Sequence, residues 1–261
     1  MTYSEMSERV ALVTGAAGGM GSVIAARLGA NGVRVALVDV HADRLRRVAK
    51  DLANAGVTAE PFPSDISSSA EVDDVVAQAE ERLGPVDYLV NAAGVLRVGE
   101  ARELTDDDWA LTFGVNTTGT FYMTRAVVNR MAARGRGAVV TVASNAAGTP
   151  RTGMAAYAAS KAATTMFTKV LGLEVARLGI RCNVVAPGST ETEMLSSLWT
   201  DGDWRRSSID GVAEQFRVGI PLGKIAQPAD VADAVLFLLS DHAGHITMHE
   251  LTVDGGASLG H

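Results

Sequence analysis

The chain has 261 residues, 47% hydrophobic and 20% charged, with a net charge of −7 at pH 7, which suits one globular α/β domain and argues against nucleic acid or an acidic membrane surface as the main partner. The opening MTYSEMSERV lacks the basic and apolar regions of a secretory leader, and no apolar run approaches a membrane span. The single cysteine, Cys182, excludes an internal disulfide and any CxxC metal site, reads as a small core residue, and fits a reducing cytoplasm.

VALVT (10–14) is a short apolar run ending in a Gly-rich turn, and the spacing then predicts a helix over about 20–31 and a second strand over 33–38. ADRLRRVAKDLANAG carries Leu45, Val48, Ala49 and Leu52 at helical spacing, with Gly56 as a stop signal. A weak strand at 59–63 follows. Ser68 and Glu71 form a capping-box pattern before the next helix. VDYLVNAAG reads as a fourth strand and turn. Thr105 and the acidic Asp106, Asp107 and Asp108 open one long helix reaching about residue 134. GAVVTVAS, a long helix over 153–178, the strand IRCNVVAPG, a helix over 229–239 after Pro228, and the strand LTVDGG complete the chain. Nearly all-apolar strands alternating with helices imply a parallel, doubly wound sheet covered on both faces. Residues 189–224 resist assignment. They hold Trp199, Trp204, Arg205, Arg206 and Phe216 with poor periodicity, and read as a substrate lid or as a plain surface excursion.

Three features carry chemistry. TGAAGGMG (14–21) follows the first strand and opens the first helix; glycines let backbone N–H groups approach a pyrophosphate, whose charge the helix N-terminus favours. Asp39 closes the second strand eighteen residues beyond Gly21. A carboxylate there accepts both hydroxyls of an adenosine ribose and repels a 2′-phosphate, selecting NAD; a turn or cap residue is the alternative. AAYAASKAA (155–163) puts Tyr157 and Lys161 four apart, on one helix face. A neighbouring cation lowers a phenol's pKa, so Tyr157 reads as a general base; a helix that merely carries both residues is the alternative.

Together these stretches resemble the short-chain dehydrogenase/reductase family. TGAAGGMG has its TGxxxGxG spacing, and NAAG (91–94) looks like its NNAG turn with Ala92 in place of the second Asn. Asn116 in VNTTG, Ser144 in VAS thirteen residues before Tyr157, the YxxxK pair, Pro187 with Gly188, and DGG at 254–256 follow in the family's order over essentially the whole chain. The resemblance implies a single Rossmann-type domain, NAD as cofactor, and a homotetramer packed through the helices near 105–134 and 153–178. It implies Asn116, Ser144, Tyr157 and Lys161 as the catalytic set: Ser144 bonds the reacting oxygen, Lys161 holds the nicotinamide ribose, and Asn116 holds a water linking Lys161 to solvent. The cofactor contacts it implies are Gly15, Gly19, Met20, Gly21, Asp39, Asp65 at the adenine, Asn91, Gly94, Tyr157, Lys161, Pro187, Thr190, and Thr192 at the carboxamide. Asp65 also reads as a simple turn former.

The stretches VNAAGVLRVG, VTVASNAAGTPRTGMAAYAASKAA, GLEVARLGIRCNVVAPGSTETEM, FRVGIPLGKIAQP and HITMHELTVDGGASLG resemble one branch, the 2,3-dihydro-2,3-dihydroxybenzoate dehydrogenases of catecholate siderophore pathways. That likeness implies a cyclic dihydrodiol carboxylate as substrate. TPR puts Arg151 beside the catalytic strand, where a guanidinium binds a carboxylate in bidentate fashion, or where it is a solvated loop residue. Ser144 and Met194 complete the implied substrate set. Three rivals stand beside this reading. A 2,3-dihydro-3-hydroxyanthranilate dehydrogenase would use the same residues. A 3-oxoacyl-carrier-protein reductase usually wants NADPH and basic residues where this chain has Ala16, Ala17 and Gly18. A non-catalytic NAD-binding scaffold has no need of Ser144, Tyr157 and Lys161 together. His242, His245 and His249 share no helical face and have no spaced acidic partner, so no metal site is read.

Overall fold

Alternation along each strand divides the apolar residues between two cores. In β1 (Val10–Thr14), Ala11 and Val13 face one layer while Val10 and Leu12 face the other; β2 (Arg34–Asp39) divides Val35 and Leu37 from Ala36 and Val38 in the same way. Strands buried on both faces need helices on both, and the computed structural model, which describes residues 3–196 and 204–260, provides them. Helices α1 (Gly19–Gly29), α2 (Ala42–Asn54) and α9 (Pro228–Leu239) cover the first core. Helix α3 (Ser69–Leu83) and α5 (Thr120–Arg134) cover the second, and α6 (Ala155–Val175) lies over β6 (Ile180–Pro187).

The sheet is parallel throughout, in the order β3-β2-β1-β4-β5-β6-β9, with β3 Ala59–Pro63, β4 Tyr88–Asn91, β5 Gly137–Val142, β6 Ile180–Pro187 and β9 Glu250–Val253. Strand order reverses between β1 and β4. A crevice opens there at the carboxyl ends of the strands, where ligands of such sheets bind. Cys182 is buried in β6, and burial pushes its thiol up to about 12, so it is an inert core residue.

Several helix ends differ from the sequence reading. Ser68 caps α3 by accepting from Glu71 N–H at 3.4 Å, but the Glu71 carboxylate reaches past it to Asp65 N–H at 2.8 Å. The long helix expected over 105–134 is helical from Asp106 to Arg134 but changes pitch on the way. It comprises α4 (Asp106–Phe113), capped by Thr105, then a wider π-helical turn at Gly114–Gly119, then α5. Low-propensity glycines bound the turn, and a Cβ on Gly119 would lie 2.7 Å from Ile66. The insertion re-aims Asn116 inward, as such bulges commonly do near functional sites. Pro228 begins α9 as its first residue.

The stretch that resists assignment by periodicity contains structure. Short helices α7 (Glu193–Ser196) and α8 (Trp204–Asp210) precede a two-residue hairpin, β7 (Gly211–Val212) with β8 (Arg217–Val218). Leu195, Ile220, Ile225 and Ala257 form a small third core under it, with Trp204 and Ile209 packed alongside. Trp199 lies outside the described residues.

Candidate active site

Backbone builds the cofactor wall. Gly15 turns the chain with φ +67°, and a Cβ on Gly21 would lie 2.1 Å from Gly15 O, so only glycine lets α1 begin against the turn. Thr14 Oγ1 accepts from Ala92 and Ala93 N–H at 3.1 and 3.2 Å, tying the ends of β1 and β4 together. Gly15, Gly19, Met20, Gly21, Asp39, Asp65 and Gly94 all line one cavity. The Asp39 carboxylate also braces its surroundings: it accepts from Ala17 N–H at 3.1 Å and His41 N–H at 2.9 Å. Asp39 thus braces the turn and lines the cavity at the same time. Asp65 likewise combines cavity position with a local turn, accepting from Ser67 N–H and Oγ. Asn91 departs from its expected place. It is buried below the cavity, with Nδ2 donating to Thr124 Oγ1 and Thr141 Oγ1, and it acts as a brace between β4, β5 and α5.

The chemical wall is built by side chains. β5 ends just before Ser144, whose Oγ accepts from Ala146 N–H at 3.1 Å. Ser144 also hydrogen-bonds Tyr157, which α6 brings to the same second cavity. Lys161 is buried one turn on; its Nζ donates to Val142 O at 2.9 Å and lies 5.8 Å from the Tyr157 ring centroid. Spacing credits Lys161 with lowering the Tyr157 pKa, but the net shift is upward. Burial pushes the phenol up, and the Ser144 hydrogen bond and the Arg151 charge work against that rise. Burial also pulls Lys161 down to about 8. Asn116 is buried behind both, its Oδ1 accepting from Val95 N–H at 2.8 Å and its Nδ2 donating to Ser160 Oγ at 2.9 Å. A Cβ on Gly94 would come within 3.3 Å of Lys161 Nζ and 3.4 Å of Asn116 Oδ1, so Gly94 keeps both approachable.

Arg151 lines the second cavity with Ser144, Tyr157, Pro187 and Thr190. It is not a solvated loop residue: Nη2 donates to Asn145 Oδ1 at 2.9 Å, and burial pulls its pKa down while Asp254 and Tyr157 oppose that. Asn145 in turn donates to Asp254 Oδ2 at 3.0 Å. Burial alone would raise Asp254, but hydrogen bonds from Ser258, Asn145 and two backbone amides hold it below the usual carboxylate range. Met20, Thr192 and Met194 line both cavities and mark where they meet. Sequence reasoning misses Asn145, Asp254 as an orienting group, and Arg217, which lines the second cavity from β8. Asn145 and Asp254 lie inside motifs the family shares; nothing in the periodicity of 189–224 singles out Arg217.

A glycine cradle beside a buried Ser-Tyr-Lys set at the crevice of a doubly wound sheet defines a nucleotide-dependent dehydrogenase. The profile of the short chain dehydrogenase family matches residues 9–203, and the chain belongs to that family. It is 53% identical to the 2,3-dihydro-2,3-dihydroxybenzoate dehydrogenase of Bacillus subtilis (strain 168), over 260 residues that cover 100% of each chain. Among solved structures it is similar to a 3-ketoacyl-(acyl-carrier-protein) reductase from Brucella melitensis complexed with NADH, with TM-score 0.87, 34% identity, and 97% and 99% of the two chains covered. A variant of the actinorhodin polyketide ketoreductase with NADPH gives TM-score 0.88 and 38% identity over 98% and 99%. Among the described residues no helix is long and apolar enough to cross a membrane.

Proposed function

We propose that this chain oxidises 2,3-dihydro-2,3-dihydroxybenzoate to 2,3-dihydroxybenzoate with NAD+. The observation that carries the reading is a cavity joining the Ser144–Tyr157 pair to the Arg151 cation, a proton acceptor beside a carboxylate holder. Identity to the Bacillus subtilis dihydrodiol dehydrogenase supports the substrate, because a ketoacyl chain has no ring carboxylate for Arg151 to meet.

The first cavity fits a dinucleotide. Its glycine turn at the N-terminus of α1 suits a pyrophosphate, and Asp39 suits an unphosphorylated ribose, favouring NAD over NADP. When bound, NAD+ supplies the hydride acceptor. Tyr157 takes the proton of the ring C3 hydroxyl as C3 gives up its hydride, and Ser144 holds the oxygen through the change. Lys161 holds the ribose, and Asn116 a water between Lys161 and solvent. The ketone formed enolises to the catechol, and aromatisation drives the reaction without further help from the protein. Arg151 orients the ring through its carboxylate, with Met194 against the ring, and the described lining from the 189–224 segment, Ser189 to Leu195 with Arg217, covers the cavity.

The test is NADH absorbance with purified enzyme and a panel of cyclic diols with and without the ring carboxylate, run with NAD+ and with NADP+. Turnover of the carboxylate diol with NAD+ is expected; preference for a ketoacyl thioester with NADPH would overturn the reading.

A further inference from the structure

The described lining of the second cavity carries positive charge. Among its described lining residues two are cationic, Arg151 and Arg217, and none is acidic. The two come from different parts of the fold. Arg151 follows the Ser144 strand, whereas Arg217 is carried by the β7–β8 hairpin of the 189–224 excursion. They are close enough that the Arg151 charge adds to burial in pulling Arg217 below its ordinary pKa. Like charges facing one cavity oppose each other, and an anion bound between them relieves that repulsion. Asp254 influences Arg151, but its carboxylate is taken by Ser258, Asn145 and the Gly256 and Ser258 amides, and Asn145 stands between it and Arg151. Arg151 Nε is buried with no hydrogen-bond partner among the described residues, so this guanidinium has donor capacity left over. Arg217 Nη2 donates to Ser189 Oγ at 3.0 Å, which ties that guanidinium to the loop after β6.

We propose that Arg217 is the second half of the carboxylate site: it closes on the ring carboxylate of the substrate opposite Arg151, so that the anion ties the hairpin to the catalytic wall. This rests on the dihydrodiol carboxylate reading above and goes beyond it. A carboxylate has two oxygens and about four acceptor positions, enough for two guanidinium groups at once. The same anion relieves the repulsion between them. Arg217 is therefore a specificity residue: it selects an acid over a neutral diol, and it makes the hairpin's position depend on the substrate's charge. Simple aromatic acids such as benzoate should compete with substrate, while neutral aromatics of the same size should not.

The experiment uses the full chain with NAD+ and compares Arg217→Ala, Arg217→Lys, Arg151→Ala and the double variant on the carboxylate diol and on its decarboxylated counterpart. Arg217→Ala should lower kcat/KM for the carboxylate on the order of 10²-fold, mostly through KM. Its loss on the neutral diol should be at least about tenfold smaller. Arg217→Lys should recover part of the loss, because it restores charge without the fork. The double variant should fall by less than the product of the singles, since both groups act on one anion. Calorimetry of 2,3-dihydroxybenzoate and catechol binding should show the same selectivity without turnover. Equal losses on both substrates, at unchanged thermal unfolding, would make Arg217 a hairpin support and overturn the proposal. Loss of acid selectivity in Arg151→Ala but not in Arg217→Ala would also overturn it, leaving the function reading intact. Wild-type preference for the neutral diol would sink the function reading itself.

Discussion

The two walls of the crevice are made of different material. Around residues 15–21 and 92–94 the surface is shaped by glycines whose positions allow nothing larger: a Cβ at Gly15 or Gly21 would collide with main-chain atoms. Around residues 144–157 and 217 the surface is side chain, delivered by the end of β5, the loop after it, α6 and a distant hairpin. Backbone surfaces suit what a whole family shares, a pyrophosphate and a ribose. Side-chain surfaces are where one member differs from another. The ketoreductase structures with TM-scores of 0.87 and 0.88 share the frame, while 53% identity ties this chain to a dihydrodiol dehydrogenase.

If the walls divide the labour in this way, breaking the chemical wall should leave the cofactor wall working. Tyr157→Phe should show this most strongly. Turnover should fall by at least about 10²-fold as the proton acceptor is lost, with NADH binding by fluorescence titration nearly unchanged. Near-normal turnover would remove Tyr157 from the mechanism.

Arg151→Ala should come next. Removing a cation opposite a carboxylate in a closed site costs on the order of 2–5 kcal/mol in transition-state binding. A second effect separates Arg151 from a mere ring holder. Burial raises the Tyr157 pKa and the Arg151 charge lowers it. The base must be ionised, so kcat/KM rises with pH towards that pKa. Without Arg151 the pKa moves further up, and the rising limb should shift to higher pH, on the neutral diol as well. An unshifted limb would show that Arg151 does not act on Tyr157.

Asp39→Ser tests the backbone wall. NAD+ over NADP+ preference should narrow by about tenfold, because repulsion of a 2′-phosphate disappears, while acid-over-neutral substrate preference stays put. The Asp39 carboxylate also braces Ala17 and His41, so some loss of affinity for both nucleotides is expected with it. Equal use of NADP+ by the wild type would undo the selectivity argument.

The same contrast explains which parts of the molecule are legible in its sequence. Strand positions, the glycine turn, Asp39 and the Tyr157–Lys161 spacing are local: a few neighbouring residues carry their whole meaning, and the doubly wound class follows from the alternation of strands and helices. What stays hidden is long-range. The π turn that carries Asn116 has Ile66 packed against Gly119, a contact between residues far apart in sequence. Arg217 reaches the cavity because Ile220 and Ile225 pack on Leu195 and Ala257, a core too small and discontinuous to leave a period in the sequence. Asn91 matches a motif letter yet is a buried brace, because a motif fixes a residue type and not the direction its side chain takes. Spacing misleads about the Tyr157 shift for a related reason. It places a cation nearby but is blind to burial, which pushes the phenol up against the Ser144 hydrogen bond and the Arg151 charge.

The smallest effect on turnover is expected outside both walls. We propose that the chain is a homotetramer held in part by α6, whose outward residues Met166, Val170 and Leu173 are 60%, 47% and 70% exposed. They follow i, i+4, i+7 spacing and so form one apolar stripe, with Phe121 of α5 edge-on to Phe167 beside them. Exposed apolar stripes of this kind mark an interface, and a second copy can cover its counterpart by two-fold symmetry. Leu173→Asp places a charge in the middle of that contact. Light scattering at micromolar concentration should show a tetramer for the wild type and a smaller species for the variant. Because Leu173 lines neither cavity, kcat/KM per chain should change by less than about threefold, well inside the effects of the cavity variants. A monomeric wild type would remove the assembly, and a tetrameric Leu173→Asp variant would move the interface elsewhere on the surface.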